Sequence, residues 1–306
     1  GMMYDSLHQK LMTLPDETLV YPAHGAGSLC GRNMRAERSS TIGTERLTNY
    51  ALQIKDRNEF IRQMTSNLPA RPDYFLEDAA INRAGAAPLA EMPALKPISP
   101  VELKAILESG GFALDVRTAE EFAAEHVPGS LNIALSGQFA SWAGAVLGLS
   151  SQFVLIAGSD DQVSEARVRL ARVGIENSPG YLDGGVEGWK RSGFEVASVP
   201  QMTVQELNRR LLDRDLQVLD VRRQGEWDAG RIAEANWYPL DRFKAALPSL
   251  DEKETIAVHC KSGYRSMIAC SLLQRAGYDV INVIGGFDAW EQAQLPVSSG
   301  AAVGAS

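Results

Sequence analysis

A run of β-branched and small apolar residues, Thr255-Ile-Ala-Val-His259, passes directly into Cys260-Lys-Ser-Gly-Tyr-Arg265, and Ser266 then opens a helical pattern. A thiol at the carboxyl end of a strand and the amino end of a helix meets converging backbone N–H groups and the positive end of the helix dipole. Lys261 and Arg265 add full positive charges. All of these favour the thiolate, the form that acts as a nucleophile. Gly263 permits the positive φ that a tight cradle needs, and Ser266 is placed to cap the helix. Cys260 is therefore the candidate catalytic residue. Lys261, Ser262, Gly263, Tyr264, Arg265 and Ser266 form the candidate substrate-binding loop.

The other cysteines read differently. Cys270 falls mid-helix among Met267, Ile268, Leu272 and Leu273 and is expected in a core; Cys30, in Gly27-Ser-Leu-Cys-Gly31, is expected to be structural. His259 adjoins the nucleophile, but successive strand residues face opposite sides. It is read as a packing or supporting residue, not a general base.

Around this loop the chain repeats itself. Ala113-Leu-Asp-Val-Arg117 matches Val218-Leu-Asp-Val-Arg222, with Glu121-Phe122 against Glu226-Trp227, at an offset of 105; Gly184-Gly185…Trp189 matches Gly285-Gly286…Trp290 at 101. Residues 97–198 and 200–297 thus read as two copies of one domain, with a short tail, 298–306, expected to be disordered. Each copy opens on a capped helix, Ser99-Pro-Val-Glu and Thr203-Val-Gln-Glu. Apolar runs at Phe112–Val116 and Gln217–Val221, then at Phe153–Ala157 and Thr255–His259, alternate with helical patterns, the last of them Ser266–Ala276. Alternation of this kind implies a parallel sheet with helices on both faces and a ligand site at the strands' carboxyl ends.

Residues 200–297 resemble a rhodanese domain over nearly their whole length. The resemblance rests on Asp220-Val-Arg222, Glu226-Trp227, the Cys260–Arg265 loop and Gly285-Gly-Phe-Asp-Ala-Trp290. It implies two parallel five-stranded sheets flanked by helices, one per copy, after a mainly helical N-terminal segment. It also implies sulfur transfer: Cys260 takes a sulfane sulfur from thiosulfate or a small persulfide, holds it as a persulfide stabilised by the backbone of Lys261–Ser266, and gives it to a thiol or cyanide. Lys261 and Arg265 would orient an anionic donor, and Asp220, Arg222 and Glu226 would form a structural salt-bridge set. Gly230-Arg-Ile-Ala-Glu234 departs from the family's Gly-His-Ile-Pro-Gly stretch. Phosphatases and arsenate reductases of the same fold use Cys-x5-Arg. Cys260 to Arg265 is one residue shorter, which suits a single sulfur atom better than a tetrahedral oxyanion. The alternative is a non-enzymatic sulfur-carrier or partner-binding module of a sulfide-oxidation system.

The first copy lacks these groups. Setting Val154-Leu-Ile-Ala157 against Ile256-Ala-Val-His259 puts Gly158 opposite Cys260, and Gly158-Ser-Asp-Asp-Gln-Val163 holds neither thiol nor arginine. This copy is expected to be inactive and structural.

Residues 1–90 are a separate segment: an amphipathic helix over 2–14, a strand at Leu19-Val-Tyr21, Pro22-Ala-His-Gly25, helical patterns to about 68, and a Pro-rich linker at 84–97. Gly1 ahead of Met2 reads as a tag remnant. Pro-x-His-Gly resembles the final part of a metallo-β-lactamase fold, of the persulfide-dioxygenase type, whose domain this segment would leave as a C-terminal remnant. Only four histidines occur, His8, His24, His126 and His259, and none pair at metal-ligand spacing. No metal or cofactor is expected. A metallo-β-lactamase-fold or sulfur-relay protein is a possible partner on this resemblance.

The net charge of −8 argues against nucleic-acid or anionic-membrane partners. No apolar run approaches a membrane span, and no basic-then-apolar leader is seen. Three scattered cysteines make no disulfide framework, so a reducing cytoplasm is the expected location.

Overall fold

The computed structural model describes residues 1–23, 37–66, 74–85, 88, 91–92, 94–148, 151–176, 178–213 and 215–299. His24, Cys30, part of the expected linker and the tail from residue 300 lie outside the described residues. The chain divides into two compact units, Gly1–Arg71 and Pro72–Ser306.

The first unit is mainly helical, with helices Met2–Gln9, Ile42–Thr48, Tyr50–Gln53 and Arg57–Thr65. The expected helix over 2–14 breaks after Gln9 and continues as a 3-10 turn, Leu11–Thr13. That turn ends at Leu14, which is extended because the residue before a proline, here Pro15, is pushed out of the helical region. Strand β1 (Leu19–Val20) pairs antiparallel with β2 (Ser40–Thr41). Thr41, Asn49 and Asp56 cap the helices that follow them by accepting from Thr44, Ala51 and Glu59 N–H. Phe60, 1% exposed, anchors the packing edge-on against Tyr4.

The second unit holds two all-parallel five-stranded sheets. In the first, β3 (Lys96–Ile98), β4 (Phe112–Asp115), β5 (Leu131–Asn132), β6 (Phe153–Ile156) and β7 (Gly180–Leu182) are ordered β3-β7-β6-β4-β5. In the second, β8 (Gln201–Met202), β9 (Gln217–Asp220), β10 (Ala235–Trp237), β11 (Ile256–His259) and β12 (Val280–Val283) are ordered β10-β9-β11-β12-β8. Read from the opposite edge, this is the same topology, so the sequence repeat is a repeat of fold. Every residue of β6 and of β11 is buried, as central strands covered on both faces must be. Ser99 forms a capping box with Glu102, and Thr203 accepts from Glu206 N–H, so the capped helices start where expected.

The strand β3 or β8 that opens each copy was not foreseen. Each is two or three residues long at a sheet edge, too short to show a period. Pro97 lies inside β3, where an edge strand tolerates a missing N–H. The helix after β11 spans Tyr264–Arg275 rather than Ser266–Ala276, and it is not amphipathic: Ser266 through Ser271 and Leu273 are all buried. The cause is the first copy. One continuous core contains Phe139, Trp142 and Leu114 from the first copy together with Cys260, Met267, Ile268 and Leu273 from the second. A helix covered on every side can be apolar on every side.

Candidate active site

The sheet order makes neighbouring strands β9 and β11 lead into connections that run to opposite sides, a switch point where a crevice opens at the carboxyl ends. Cys260 follows the last residue of β11 and is 1% exposed. Its Sγ accepts the N–H of Gly263 at 3.1 Å. Gly263 caps the helix at φ +112°, a conformation that side-chain-bearing residues rarely adopt. Ser266 is not the cap expected of it: the helix has already begun, and the buried Ser266 hydroxyl donates to Gly263 C=O at 3.0 Å.

The loop is seated from below by the Gly-Gly turn that the sequence showed only as a repeat marker. Phe287 N–H donates to Cys260 C=O at 2.8 Å and Asp288 N–H to Lys261 C=O at 2.9 Å. A Cβ on Gly286 would stand 2.4 Å from Cys260 O and 2.7 Å from Lys261 O. Only glycine lets the two backbones approach this closely.

Arg265 is engaged by a carboxylate of its own domain. Its guanidinium donates to both carboxylate oxygens of Glu226, at 2.6 and 2.7 Å. The expected set of Asp220, Arg222 and Glu226 therefore divides. Arg222 pairs with Asp220 and donates to Gly230 C=O, buried over the ring of Phe287, while Glu226 belongs to the loop. Burial pushes the Glu226 carboxyl up, but the Arg265 fork outweighs it and holds the group below the usual carboxylate range. Lys261 and Ser262 are exposed, and Tyr264 is half-buried.

His259 is fully buried. Its Nδ1 lies 3.3 Å from Cys260 O and its Nε2 3.6 Å from Asp220 Oδ2. Burial pushes it below the ordinary histidine value. It packs against Phe287, on the side of the sheet away from the thiol's core. Cys270 is a core residue whose thiol burial pushes far up, and it stays protonated. Arg231, which replaces the family's histidine, lies over the Trp227 ring and bridges its backbone to Ser298.

The first copy shows what the site requires beyond the fold. It repeats the buried pair, Arg117 on Asp115 with a further bond to Glu125 C=O, so that pair serves the fold. Its register corrects the expected alignment by one residue. Asp115 pairs with Ile156 and Asp220 with His259, so Ala157, not Gly158, stands opposite Cys260. The Gly185 Cβ position, 2.7 Å from Ala157 O, agrees. The first-copy loop is then three residues, Ala157-Gly158-Ser159, before a helix at Asp160, against four in the second copy. Ser159 is an ordinary cap accepting from Gln162 N–H, and Gly158 N–H is taken by Gln162 Oε1.

A cleft of about 450 Å³ opens between the copies, walled by Ala119 and Ala123 on one side and by Ser262, Gly263, Tyr264 and Met267 on the other. It reaches the loop but not the thiol.

A doubly repeated parallel α/β domain with a cysteine loop of this shape defines the class. The rhodanese-like domain family matches residues 99–192 and 203–293, more than half of the chain, and the chain belongs to that family. Among its relatives, a protein named sulfurtransferase from Allochromatium vinosum is 31% identical over 101 residues, covering 32% of this chain and 94% of that protein. The putative sulfurtransferase YtwF of Bacillus subtilis is 33% identical over 84 residues, 28% of this chain and 82% of that one. Among solved structures, a metallo-beta-lactamase from Staphylococcus aureus subsp. aureus COL is 27% identical at a TM-score of 0.48, covering 59% of this chain and 49% of that chain. Among the described residues no helix is long and apolar enough to cross a membrane.

Proposed function

We propose that this protein is a sulfurtransferase in which Cys260 carries the sulfur. The observation that carries the reading is the Gly263 N–H on Cys260 Sγ at 3.1 Å, at the end of the central strand β11. The relatives named sulfurtransferase support the reaction class.

In the first half-reaction the Cys260 thiolate attacks the outer sulfur of thiosulfate. An Sγ–S bond forms, the S–S bond of the donor breaks, and sulfite leaves with the electron pair. A small persulfide donor reacts in the same way and releases its thiolate. In the second half-reaction a thiolate or cyanide attacks the outer sulfur and Cys260 leaves as thiolate. Sulfur moves between nucleophiles, so no external oxidant or reductant enters the balance. The loop N–H groups stabilise the negative charge on the persulfide, as fixed dipoles aimed at developing charge do. Glu226 neutralises Arg265, so the exposed Lys261 is the loop group left to draw an anionic donor.

The test is intact-mass measurement after exposure to thiosulfate or glutathione persulfide, with turnover to cyanide or a thiol. Gain of one sulfur on Cys260 with turnover supports the reading. Turnover that survives Cys260→Ser overturns it. Sulfur uptake without turnover favours a carrier passing sulfur to a protein partner.

A further inference from the structure

The loop's first half is held by its own domain, through Phe287 and Asp288 N–H. Its second half is held from within by the Arg265–Glu226 fork and also from outside. Tyr264, the first helical residue, follows Gly263, whose N–H touches Sγ. Its hydroxyl donates to the backbone carbonyl of Ala134 at 2.8 Å, 130 residues away in the first copy. That carbonyl is a fixed point, because Ile133 and Leu135 N–H donate on either side to Asp115 and Val116 C=O at 3.0 Å. The tyrosine ring lies against Gly137, where a Cβ would be 3.4 Å from it, and Gly137 holds φ +66°. Burial pushes the Tyr264 hydroxyl above the ordinary tyrosine value, so it remains a donor. Its proton is committed to Ala134 and is not available for acid–base work.

From this geometry we infer that Tyr264 is a positioning residue. The nucleophile-free first copy, through Ala134 and Gly137, holds Tyr264 and with it the left-handed Gly263 peptide whose N–H meets Cys260. The inactive copy is then one wall of the other copy's cradle. Glycine reaches φ +112° without strain but reaches many other conformations as readily, so the neighbours and not the residue itself must hold this peptide in place. Without the anchor, the Gly263 peptide can rotate and withdraw its N–H from sulfur. The catalytic part of this inference rests on Cys260 being the sulfur carrier, whereas the cradle geometry does not.

The experiment compares Tyr264→Phe with Ser271→Ala in the full chain. Phenylalanine keeps the ring on Gly137 and removes only the hydroxyl. Ser271 Oγ accepts Asn132 N–H at 3.0 Å across the same boundary, further along the helix and away from the loop. It therefore controls for simple loosening of the two copies. Two rates are read: site-resolved iodoacetamide alkylation of Cys260, which needs no sulfur chemistry, and single-turnover persulfide formation from thiosulfate. Tyr264→Phe is expected to change the alkylation rate and to slow persulfide formation, each by at least about fivefold. The fall should lie in kcat with KM for thiosulfate unchanged, while Ser271→Ala lowers Tm alone. Wild-type rates in Tyr264→Phe overturn the inference, as does an equal loss in Ser271→Ala. If the wild type takes up no sulfur, the proposed function fails, and the alkylation comparison still decides the positioning role.

Discussion

The guanidinium of Arg265 grips the carboxylate of Glu226 through two parallel bonds of 2.6 and 2.7 Å, across 39 residues of sequence. Side-chain exposures of 14% and 29% leave the pair partly shielded from solvent. The bond ties the start of the sulfur-loop helix to the helix after β9. A bidentate charged pair of this kind fixes direction as well as adding energy. The first copy keeps the glutamate, Glu121, but Asp161 stands second in its helix where Arg265 stands in the other. The fork is thus specific to the copy with the nucleophile.

Glu226→Gln removes one charge and leaves Arg265 half-paired. The expected loss is about 1–3 kcal/mol of stability near neutral pH, read from urea midpoints. The folded Glu226 pKa is depressed by the pair. Its contribution is therefore full above the unfolded glutamate value of about 4.3 and is lost as pH falls through the lower folded value. Equal midpoints for wild type and variant near neutral pH would show that the fork contributes no stability.

Gly286→Ala tests the seat of the loop. The added methyl meets two carbonyl oxygens at 2.4 and 2.7 Å, at φ +55°. Backbone strain and overpacking together should cost at least about 2 kcal/mol and displace Cys260. Gly277→Ala is the control. It also holds positive φ, +94°, but nothing lies within 4 Å of its Cβ position, so it should cost only about 1–2 kcal/mol and leave sulfur transfer intact. Equal losses of activity in the two would deny Gly286 its role.

Much of this was legible because the informative features are local. The strand, cysteine, glycine and arginine of residues 255–265 are contiguous, and the repeat needs only comparison of the chain with itself. The register was legible only to within one residue. Ala157 and Gly158 are both small, and nothing local in sequence marks which of them stands opposite Cys260. The pairing of Asp115 with Ile156 decides it in three dimensions. Glu226 and Arg265 were both singled out, but for different duties, because a contact across 39 residues leaves no periodic trace. The all-round burial of helix Tyr264–Arg275 depends on a second domain lying over it.

The register fixes where a nucleophile would have to stand in the first copy. The thiol belongs at Ala157, and Ala157→Cys combined with Cys260→Ser should still show no turnover. The loop is one residue short, Gln162 Oε1 takes the Gly158 N–H, and Asp160 and Asp161 open the helix. A thiolate there meets like charges, which disfavour it and repel an anionic donor. Replacing Ala157–Asp161 by the six-residue Cys-Lys-Ser-Gly-Tyr-Arg restores the missing residue and the cations together. Persulfide formation by the replacement but not by the single cysteine is the expected result. Turnover from Ala157→Cys alone would show that loop length and charge matter little.

Two buried histidines set the response to mild acid. His126 lies between the Phe122 carbonyl at 2.8 Å and Gln274 Oε1 at 3.1 Å, on the boundary of the copies. The Gln274 amide is oriented by donating to Ser198 C=O. Burial lowers His126 most; the two hydrogen bonds work against it, and Arg117 lowers it further. Burial likewise lowers His259, against the pull of Asp220. Both are then neutral in the folded protein at neutral pH. A histidine whose folded pKa lies below its unfolded value of about 6.5 contributes stability that is full above that value. The contribution is lost as pH falls through the folded pKa. Urea midpoints should therefore drop as pH is lowered from about 7.5 to about 5.5, above the range in which Glu226 titrates. The double variant His126→Gln, His259→Gln should be less stable at neutral pH but flatter across this window. If the wild-type midpoint were constant or rose on acidification, protonation would be stabilising. The extra proton on His126 would then be completing the Phe122–His126–Gln274 chain between the copies, and the hydrogen bonds, not burial, would govern that site.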